Sequence, residues 1–352
     1  MLACLKILPL FLVLSFQFQG CNIWDYLQPP AREPVAPQGN RSEARELLTS
    51  YLTARLAGEN TENLRDYLTE EAWNDYQSAQ LSLRAEDEEQ FVGYKIINES
   101  DLAGGRYAFT TVMQTVNRNR PQAENATEDL IVSFKNDEYR ISSARLLERA
   151  ELRAEGTDLI WEGVETGKEE STVKVFNLRD FPAQMRPIGG EEGIEFILER
   201  SGYSAVVLHP EGKGAAFGTA GTHGALGVLS WDGKTPAPEK VKLTPLDLFY
   251  GGKVQLLAFS PDAQYIAAEI ATPAGTDRVE VYRTDQRNKL NLQLKDAFPA
   301  EQYNTVFHHW EEDRNHLVLR VTAGPGQTGD PEIVGIWRIN IQTGEREKVI
   351  ID

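Results

Sequence analysis

The stretch that decides the fold is residues 256–269, LLAFSPDAQYIAAE. Two apolar runs of strand length flank Ser260-Pro261-Asp262, and these three residue types favour a tight turn. Similar stretches lie on either side, VVLHPEGKGAAF at residues 206–217 and VFHHWEEDRNHLVLRV at residues 306–321. Each stretch predicts a strand, an acidic turn and a second strand. The C-terminal half therefore contains a repeated β-hairpin.

An aromatic strand follows each hairpin and sets the length of the repeat. Trp231, Tyr282 and Trp337 lie 51 and 55 residues apart, and Phe176 lies 55 residues before Trp231. The pattern resembles the blades of WD-repeat-like β-propellers, which implies an all-β domain of propeller-like β-meander repeats at residues 151–352. A degenerate fourth repeat at residues 155–200 stays open, and so does ring closure. Four blades are the smallest closed propeller, and an open assembly of β-meanders fits the same pattern.

In the preceding part of the chain, the spacing of the apolar residues changes from that of a helix to that of a strand. Asn40 predicts the start of a helix and Gly58 its end, with apolar residues at helical spacing between them. Shorter helices are predicted at residues 62–68 and from Thr69. Strands are predicted at residues 91–98, 106–116, 130–135 and 139–147. Helices followed by an antiparallel sheet predict an α+β domain at residues 41–150.

The order of these elements, and the run YLTARLAGENTENLRDYLTEEAWNDY at residues 51–76, resembles nuclear-transport-factor-two-like domains. The resemblance implies a cone-shaped fold around a pocket, in which catalytic members use Asp, His or Tyr. Asp66, Tyr67, Asp75 and Tyr76 are candidates by residue type, and no histidine precedes His209. A closed apolar interior would favour binding, whereas an inward carboxylate beside a Tyr hydroxyl would favour chemistry.

The N-terminal residues carry targeting information. An apolar run at residues 7–18 follows Lys6, is too short for a transmembrane helix and is typical of a secretory signal. The next residues, Phe18-Gln19-Gly20-Cys21, resemble the lipobox of bacterial lipoproteins, with Phe18 and Gln19 where leucine and a small residue are usual. The resemblance implies a signal peptide at residues 1–20, cleavage between Gly20 and Cys21, and lipidation of Cys21. A free thiol or an uncleaved anchor is the alternative.

The cysteine content agrees with lipidation. The second cysteine, Cys4, lies inside the predicted leader, so the mature chain has no internal disulfide. Diacylation of Cys21 supplies the two chains that stable anchoring requires. The proline-rich residues 21–40 are predicted to form a tether. These features predict an extracytoplasmic protein that is lipid-anchored to the bacterial cell membrane.

Charge and missing motifs exclude several functions. The 53 acidic residues outnumber the 36 basic ones, for a net charge of −17, so nucleic-acid binding is not expected. The G-x-S-x-G, H-E-x-x-H, phosphate-loop and EF-hand motifs are absent from the sequence. The usual types of serine hydrolase, zinc protease and nucleotide hydrolase therefore lose support, and no cofactor is predicted.

Two features of the β half remain as candidate sites. His308, His309, Glu311 and His316 offer imidazole and carboxylate ligands for a metal, although a solvated turn is the expected structure of this segment. The glycine-rich segments at residues 212–227 and 324–329 are expected to be loops that form a contact region.

The sequence thus predicts a non-catalytic binding or scaffold protein of the bacterial cell envelope. It reaches the membrane through its lipid anchor and contacts an envelope or membrane-protein partner. The alternative is an enzyme with a pocket in the cone domain, or with a His/acidic metal site in the β domain.

Overall fold

Three helices begin the part of the chain that the computed structural model describes, which is residues 39–349 apart from 59–60, 79–87, 166 and 168. The predicted signal peptide, its cleavage site at Gly20 and Cys21, and nearly all of the tether lie outside the described residues. The helices are α1 (Arg41–Ala57), α2 (Thr61–Arg65) and α3 (Glu70–Ser78). None of the described helices combines the length and the apolar character needed to cross a membrane.

The ends of α1 confirm the capping prediction. The Asn40 side chain accepts a hydrogen bond from the Ser42 N–H at 2.9 Å, which satisfies one of the free donors at the helix start. Gly58 adopts the left-handed conformation (φ 70°), and its N–H donates to the carbonyls of Ala54 and Arg55. A residue with a side chain is strained at this φ, which explains the glycine.

A six-stranded antiparallel sheet follows, with its strands in chain order. The strands are β1 (Glu89–Leu102), β2 (Arg106–Asn117), β3 (Gln122–Lys135), β4 (Glu138–Glu155), β5 (Asp158–Glu165) and β6 (Ser171–Asn177). The four predicted strands are present, and two more extend the sheet. The interpretation of residues 155–200 as a degenerate repeat is wrong, because the chain turns at Gly156 (φ 62°) and pairs back onto β4. The boundary predicted at residue 150 falls inside β4, and the separate folding of residues 41–150 and 151–352 stays a prediction.

Three β-meanders make up most of the remaining chain, after a two-stranded sheet of β7 (Gln184–Met185) and β8 (Phe196–Ile197). The first meander contains β9 (Tyr203–Leu208), β10 (Gly214–Thr219), β11 (Gly224–Ser230) and β12 (Lys242–Phe249). The second contains β13 (Lys253–Phe259), β14 (Tyr265–Ala271) and β15 (Asp277–Arg283). A short helix α4 (Leu294–Ala297) precedes the third, which contains β16 (Tyr303–Trp310), β17 (His316–Ala323), β18 (Gly335–Asn340) and β19 (Arg346–Val349). The described chain is therefore mostly antiparallel β.

The turn between the first two strands is the same in all three meanders. In the second meander the Ala263 N–H donates to the Ser260 carbonyl at 2.8 Å, and Ala263 has φ 58°. Gly212 and Arg314 occupy the same place in the other two turns, with φ of 69° and 67°. These three positions are 51 residues apart, so the backbone confirms the repeat expected from the sequence.

The six-stranded sheet buries both of its faces. Alternate side chains point to opposite faces, so neighbours such as Phe91 and Val92 enter different cores. Phe91 belongs to the core that the sheet forms with the helices, and Val92 to the core that it shares with the meanders. The first strand of each meander contacts this sheet, and successive meanders contact each other. Residues from Gly39 onward form one compact unit.

Antiparallel pairing gives the meanders two ends. One end consists of the turns that follow the first strand of each meander, at residues 209–213, 260–264 and 311–315, and we call it the covered end. We call the opposite end the open end; it consists of the loops at residues 220–223, 250–252, 272–276 and 324–334. Two ion pairs attach the covered end to the helix-and-sheet part, Lys95 with Glu211 and Arg45 with Glu312. Among the described residues, no hydrogen bond or ion pair joins the open end to residues 39–165.

Candidate functional site

A buried ion pair occupies the interior between the helices and the sheet. Arg55 of α1 and Glu128 of β3 are both about 1% exposed, and their Nη1 and Oε2 atoms are 2.8 Å apart. The Tyr76 hydroxyl donates to the same carboxylate oxygen at 3.2 Å. The Arg55 guanidinium also lies 5.7 Å and 5.8 Å from the ring centres of Tyr51 and Tyr76. An inward carboxylate therefore lies beside a Tyr hydroxyl, the arrangement expected of a chemical site.

Packing buries this carboxylate and the groups around it. Burial raises the pKa of the Tyr76 and Tyr51 hydroxyls, so both stay protonated. Burial alone would lower the pKa of Arg55, but Glu128 and the two tyrosines raise it overall, and the guanidinium stays charged. Removing one partner of such a pair leaves a buried charge without compensation. The pair therefore attaches α1 to β3.

The other candidates of the helical region lie apart from this pair. Asp66 is exposed in the turn after α2, and Tyr67 packs its ring 5.8 Å from that of Tyr51. The Asp75 carboxylate accepts hydrogen bonds from the Ala144 N–H at 3.3 Å and the Ser143 hydroxyl at 3.2 Å, which attaches α3 to β4. Of the four candidates, the structure brings only Tyr76 to the buried carboxylate.

Sequence reasoning missed Arg55 and Glu128. Arg55 is in the last turn of α1, where a basic residue is expected in solvent next to the helix C-terminus. Glu128 falls in the polar run QAENATED, which was not predicted as strand, although β3 begins at Gln122. The two alanines of this run, Ala123 and Ala126, are three residues apart, so no strand-like alternation pointed to Glu128.

A second polar cluster lies between the six-stranded sheet and the meanders. Arg118, directly after β2, donates from Nη1 to Glu269 of β14 at 2.9 Å, and the Glu269 side chain is 2% exposed. Glu269 also accepts the backbone N–H of Phe307 at 2.9 Å. Burial raises the pKa of the Glu269 carboxyl, and Arg118 opposes this shift. The cluster joins the sheet to the second and third meanders.

Side-chain amides extend this junction to the ends of the first strands. The Gln114 amide donates to the Leu208 carbonyl and the Asn125 amide to the His209 carbonyl, each at 2.9 Å. The Gln90 amide donates to the His308 carbonyl at 2.6 Å. These bonds satisfy backbone carbonyls at an interface from which water is excluded, and they therefore fix the position of the meanders.

The expectation that the histidines lie on a solvated turn is wrong for His308 and His309. Both belong to β16, His309 is 8% exposed, and their Nδ1 atoms are 2.7 Å apart. A β-bulge between Phe307 and His309 brings the two neighbouring rings together. Burial lowers the pKa of His308 to about 4 and that of His309 to about 3, so both rings are neutral at pH 7.

The remaining ligand candidates meet at the third turn. Glu311, Asp313 and His316 bring one ligand atom each within 4.8 Å of the others, so Asp313 takes the place that His308 and His309 were expected to fill. Arg338 donates to both Glu311 oxygens at 2.7 Å and to Asp313 at 3.2 Å. A metal ion would have to displace this guanidinium. The metal site stays a prediction.

The glycine-rich segments differ from each other. Residues 324–329 follow β17 in a loop, as expected, but most of residues 212–227 belong to β10 and β11. A Cβ atom at Gly218 would lie 2.5 Å from Cβ of Val254 in the second meander. Gly218 therefore allows two meanders to pack closely, and only residues 220–223 form the open-end loop.

Comparisons with known proteins give remote similarities only. No family model matches the chain, and no curated protein matches it. TolB from Acinetobacter baumannii is 11% identical over 89% of this chain and 69% of its own, with a TM-score of 0.33. Sqt1 from Chaetomium thermophilum is 15% identical over 67% of this chain and 68% of its own, with a TM-score of 0.26. A prolyl endopeptidase structure is 10% identical over 84% of this chain and 43% of its own, with a TM-score of 0.35. TM-scores this low do not establish a shared fold.

Proposed function

We propose that this chain is a non-catalytic binding or scaffold protein of the bacterial cell envelope, anchored through a lipid on Cys21 and located outside the cytoplasm. The observation that carries the proposal is the pairing of the buried polar groups with one another. Arg55 with Glu128 is an ion pair closed off from solvent by packing, and the buried Glu269 carboxylate is paired with the half-exposed Arg118. A catalyst instead needs a tuned group that its substrate can reach.

The location is supported by the leader alone. The apolar run at residues 7–18 and the Gly20-Cys21 pair resemble a lipoprotein signal. A lipid tether confines a protein to the membrane surface and raises its effective concentration near a membrane partner without new contacts. An envelope protein or the outer domain of a membrane protein is the partner that this arrangement favours.

Metabolic labelling with a fatty acid tests the anchor in the organism that makes the protein. Cys21→Ala is expected to lose the label and to complement a deletion strain weakly, because the chain no longer partitions with membranes. Cys4→Ala is the matched control, since Cys4 lies in the predicted leader, and it should keep the label. Equal labelling of Cys21→Ala and the wild type would refute lipidation.

The enzyme alternative is favoured by one observation, the Tyr76 hydroxyl beside Glu128. Tyr76→Phe removes the hydroxyl and keeps the buried ring, so the fold should survive. A scaffold carrying this change should complement a deletion strain fully. Loss of complementation by a variant that folds and localises normally would favour catalysis in the cone. The double variant Glu311→Gln with His316→Gln tests the predicted metal site in the same way. A scaffold should again complement the deletion strain fully, and loss of complementation would favour a metal-dependent function.

A further inference from the structure

A cleft of about 380 Å³ lies between the six-stranded sheet and the first meander. Its lining includes one row of the sheet, in which neighbouring strands place Lys95, Val112, Thr127 and Glu148 opposite one another. Residues that lie opposite each other in antiparallel strands point to the same face, so this row forms one wall of the cleft. Four strands spaced by about 4.8 Å make the row about 14 Å long.

The first meander is attached to both ends of this row by ion pairs. Lys95 of β1 pairs with Glu211 in the turn after β9, and Glu148 of β4 pairs with Lys234, which lies between β11 and β12. Residues 210–213 and Lys234 line the cleft from the side of the meander. The cleft is therefore formed by two packed parts of the chain, an arrangement in which ligand sites are common.

Apolar side chains also line the cleft. Val112 and Ala150 are buried there, and Ile97 is nearly half exposed. A β-bulge between Ile96 and Asn98 accounts for the position of Ile97, because a bulge redirects the side chain of the extra residue. Ile96 instead packs against the core that the sheet forms with the helices. Ile97 thus offers an apolar surface that a ligand in the cleft would cover.

The charges that line the cleft do not balance. Glu211 carries one negative charge and accepts hydrogen bonds from the ammonium groups of both Lys95 and Lys213. These two lysines lower the pKa of the Glu211 carboxyl to about 2, so it stays charged. Three lysines and two glutamates line the whole cleft, a surplus of one positive charge in a chain with a net charge of −17. An ammonium group has three donors, so two of them on one carboxylate retain donors for a further anion.

We propose that this cleft binds a small amphipathic anion, with its carboxylate at Lys95 and Lys213 and its apolar body over Val112 and Ile97. We name it the junction cleft. The surplus positive charge selects an anion, and the apolar lining favours a hydrocarbon body over an inorganic ion. The inference goes beyond the proposed function, because neither the lipid anchor nor a protein partner is needed for it.

Isothermal titration calorimetry with the purified mature chain tests the junction cleft. The probe is octanoate, which joins a carboxylate to a hydrocarbon chain. Octanol lacks the charge, octyltrimethylammonium reverses it, and acetate lacks the chain. We expect octanoate to bind, octanol to bind about tenfold more weakly, and the other two to show no measurable binding. The chain as a whole repels anions, so a preference for octanoate over the cation must come from a local site.

A charge-matched pair of variants identifies the carboxylate end. Lys213→Gln removes the surplus charge and should weaken octanoate binding about tenfold. Lys174→Gln is the control, because Lys174 is about as exposed as Lys213, pairs with Asp158 and does not line the cleft, and it should bind like wild type. Both lysines are in exposed ion pairs, so both variants should fold, which urea unfolding checks.

A second pair of variants identifies the apolar end. Ile97→Ser removes an apolar contact without changing the charge and should weaken octanoate binding about threefold to tenfold. Ile194→Ser is the control, because Ile194 is as exposed as Ile97 and does not line the cleft, and its affinity should stay that of wild type.

Several results would overturn the proposal. They are no binding of octanoate by wild type, equal binding of octanol or of octyltrimethylammonium, or equal affinities of the two variants in either pair. Labelling of Cys21 and complementation by Tyr76→Phe do not involve this cleft, so the proposed function is tested separately.

Discussion

The two ends of the β-meanders differ in how their polar groups are used. At the covered end, carboxylates meet cations from the helix-and-sheet part, as in Glu211 with Lys95 and Glu312 with Arg45. At the open end, Glu199 accepts a hydrogen bond from the Thr222 hydroxyl, and Tyr250 lies largely in solvent. The same hairpin repeat therefore provides an internal junction on one side, and on the other a surface that, among the described residues, forms no hydrogen bond or ion pair with residues 39–165. Substitutions should accordingly affect stability more at the first than at the second.

The largest effect is expected from Arg118→Met. It removes the cation beside the buried Glu269 carboxylate. Because the Arg118 side chain is 34% exposed, we expect a loss below that of a fully buried pair, about 1–3 kcal/mol. Urea unfolding at pH 7 measures the loss, and Arg41→Met, whose partner Asp101 is exposed, is the control with a much smaller expected loss, because water screens that pair. A loss as small as that of the control would mean that the sheet and the meanders do not depend on this junction.

The same variant has a pH signature. Burial already raises the pKa of Glu269, and removing Arg118 raises it further. At pH values between the unfolded and folded pKa of Glu269, the folded state binds more protons than the unfolded state. The free energy of unfolding therefore falls as the pH rises through this window. Arg118→Met should therefore regain stability relative to wild type as the pH is lowered from 7 to about 5.

An intermediate effect is expected from the paired histidines next to the junction. Burial lowers the pKa of His309 to about 3 and that of His308 to about 4, and Arg118 and Arg320 also lower the latter. Below about pH 6.5 the unfolded chain takes up protons that these rings do not, so stability falls as the pH decreases, by about 1 kcal/mol per pH unit for each ring. His309→Gln should flatten this slope in urea titrations between pH 7 and 5. Arg45→Gln keeps both rings and should retain the wild-type slope; equal slopes in the two variants would contradict the assignment.

A smaller effect is expected from Arg45→Gln itself. The Arg45 side chain is 41% exposed and that of Glu312 is 22% exposed, so water and salt screen their attraction. We expect a loss of about 0.2–1 kcal/mol in urea unfolding, decreasing further at high salt. A loss as large as that of Arg118→Met would show that this exposed pair contributes as much to stability as the junction at Glu269.

The smallest effect on stability is expected from Tyr250→Ser at the open end. The ring is 65% exposed, and a surface substitution of this kind usually changes stability by no more than about 0.5 kcal/mol. Thermal unfolding checks this. A large loss of stability would make the Tyr250 ring part of the fold and would remove the contrast between the two ends.

The sequence by itself determined the local structure. Asn40 and Gly58 marked the ends of α1, because caps depend on a few neighbouring residues. The turn at residues 260–264 and its two counterparts followed from short polar segments between apolar runs, and their spacing gave the repeat. The class of fold, helices and antiparallel sheet followed by β-meanders, follows from such local signals.

Only the tertiary structure decided which residues meet. Arg55 and Glu128 are 73 residues apart, and Arg118 and Glu269 are 151 apart, so no local pattern links either pair. His308 and His309 read as part of an acidic turn, yet the bulge and the packing of β16 bury them. The continuation of the sheet through β5 and β6 likewise depends on pairing with β4. The physical reason is the same in each case, because burial and charge pairing depend on distances in space, which sequence separation does not determine.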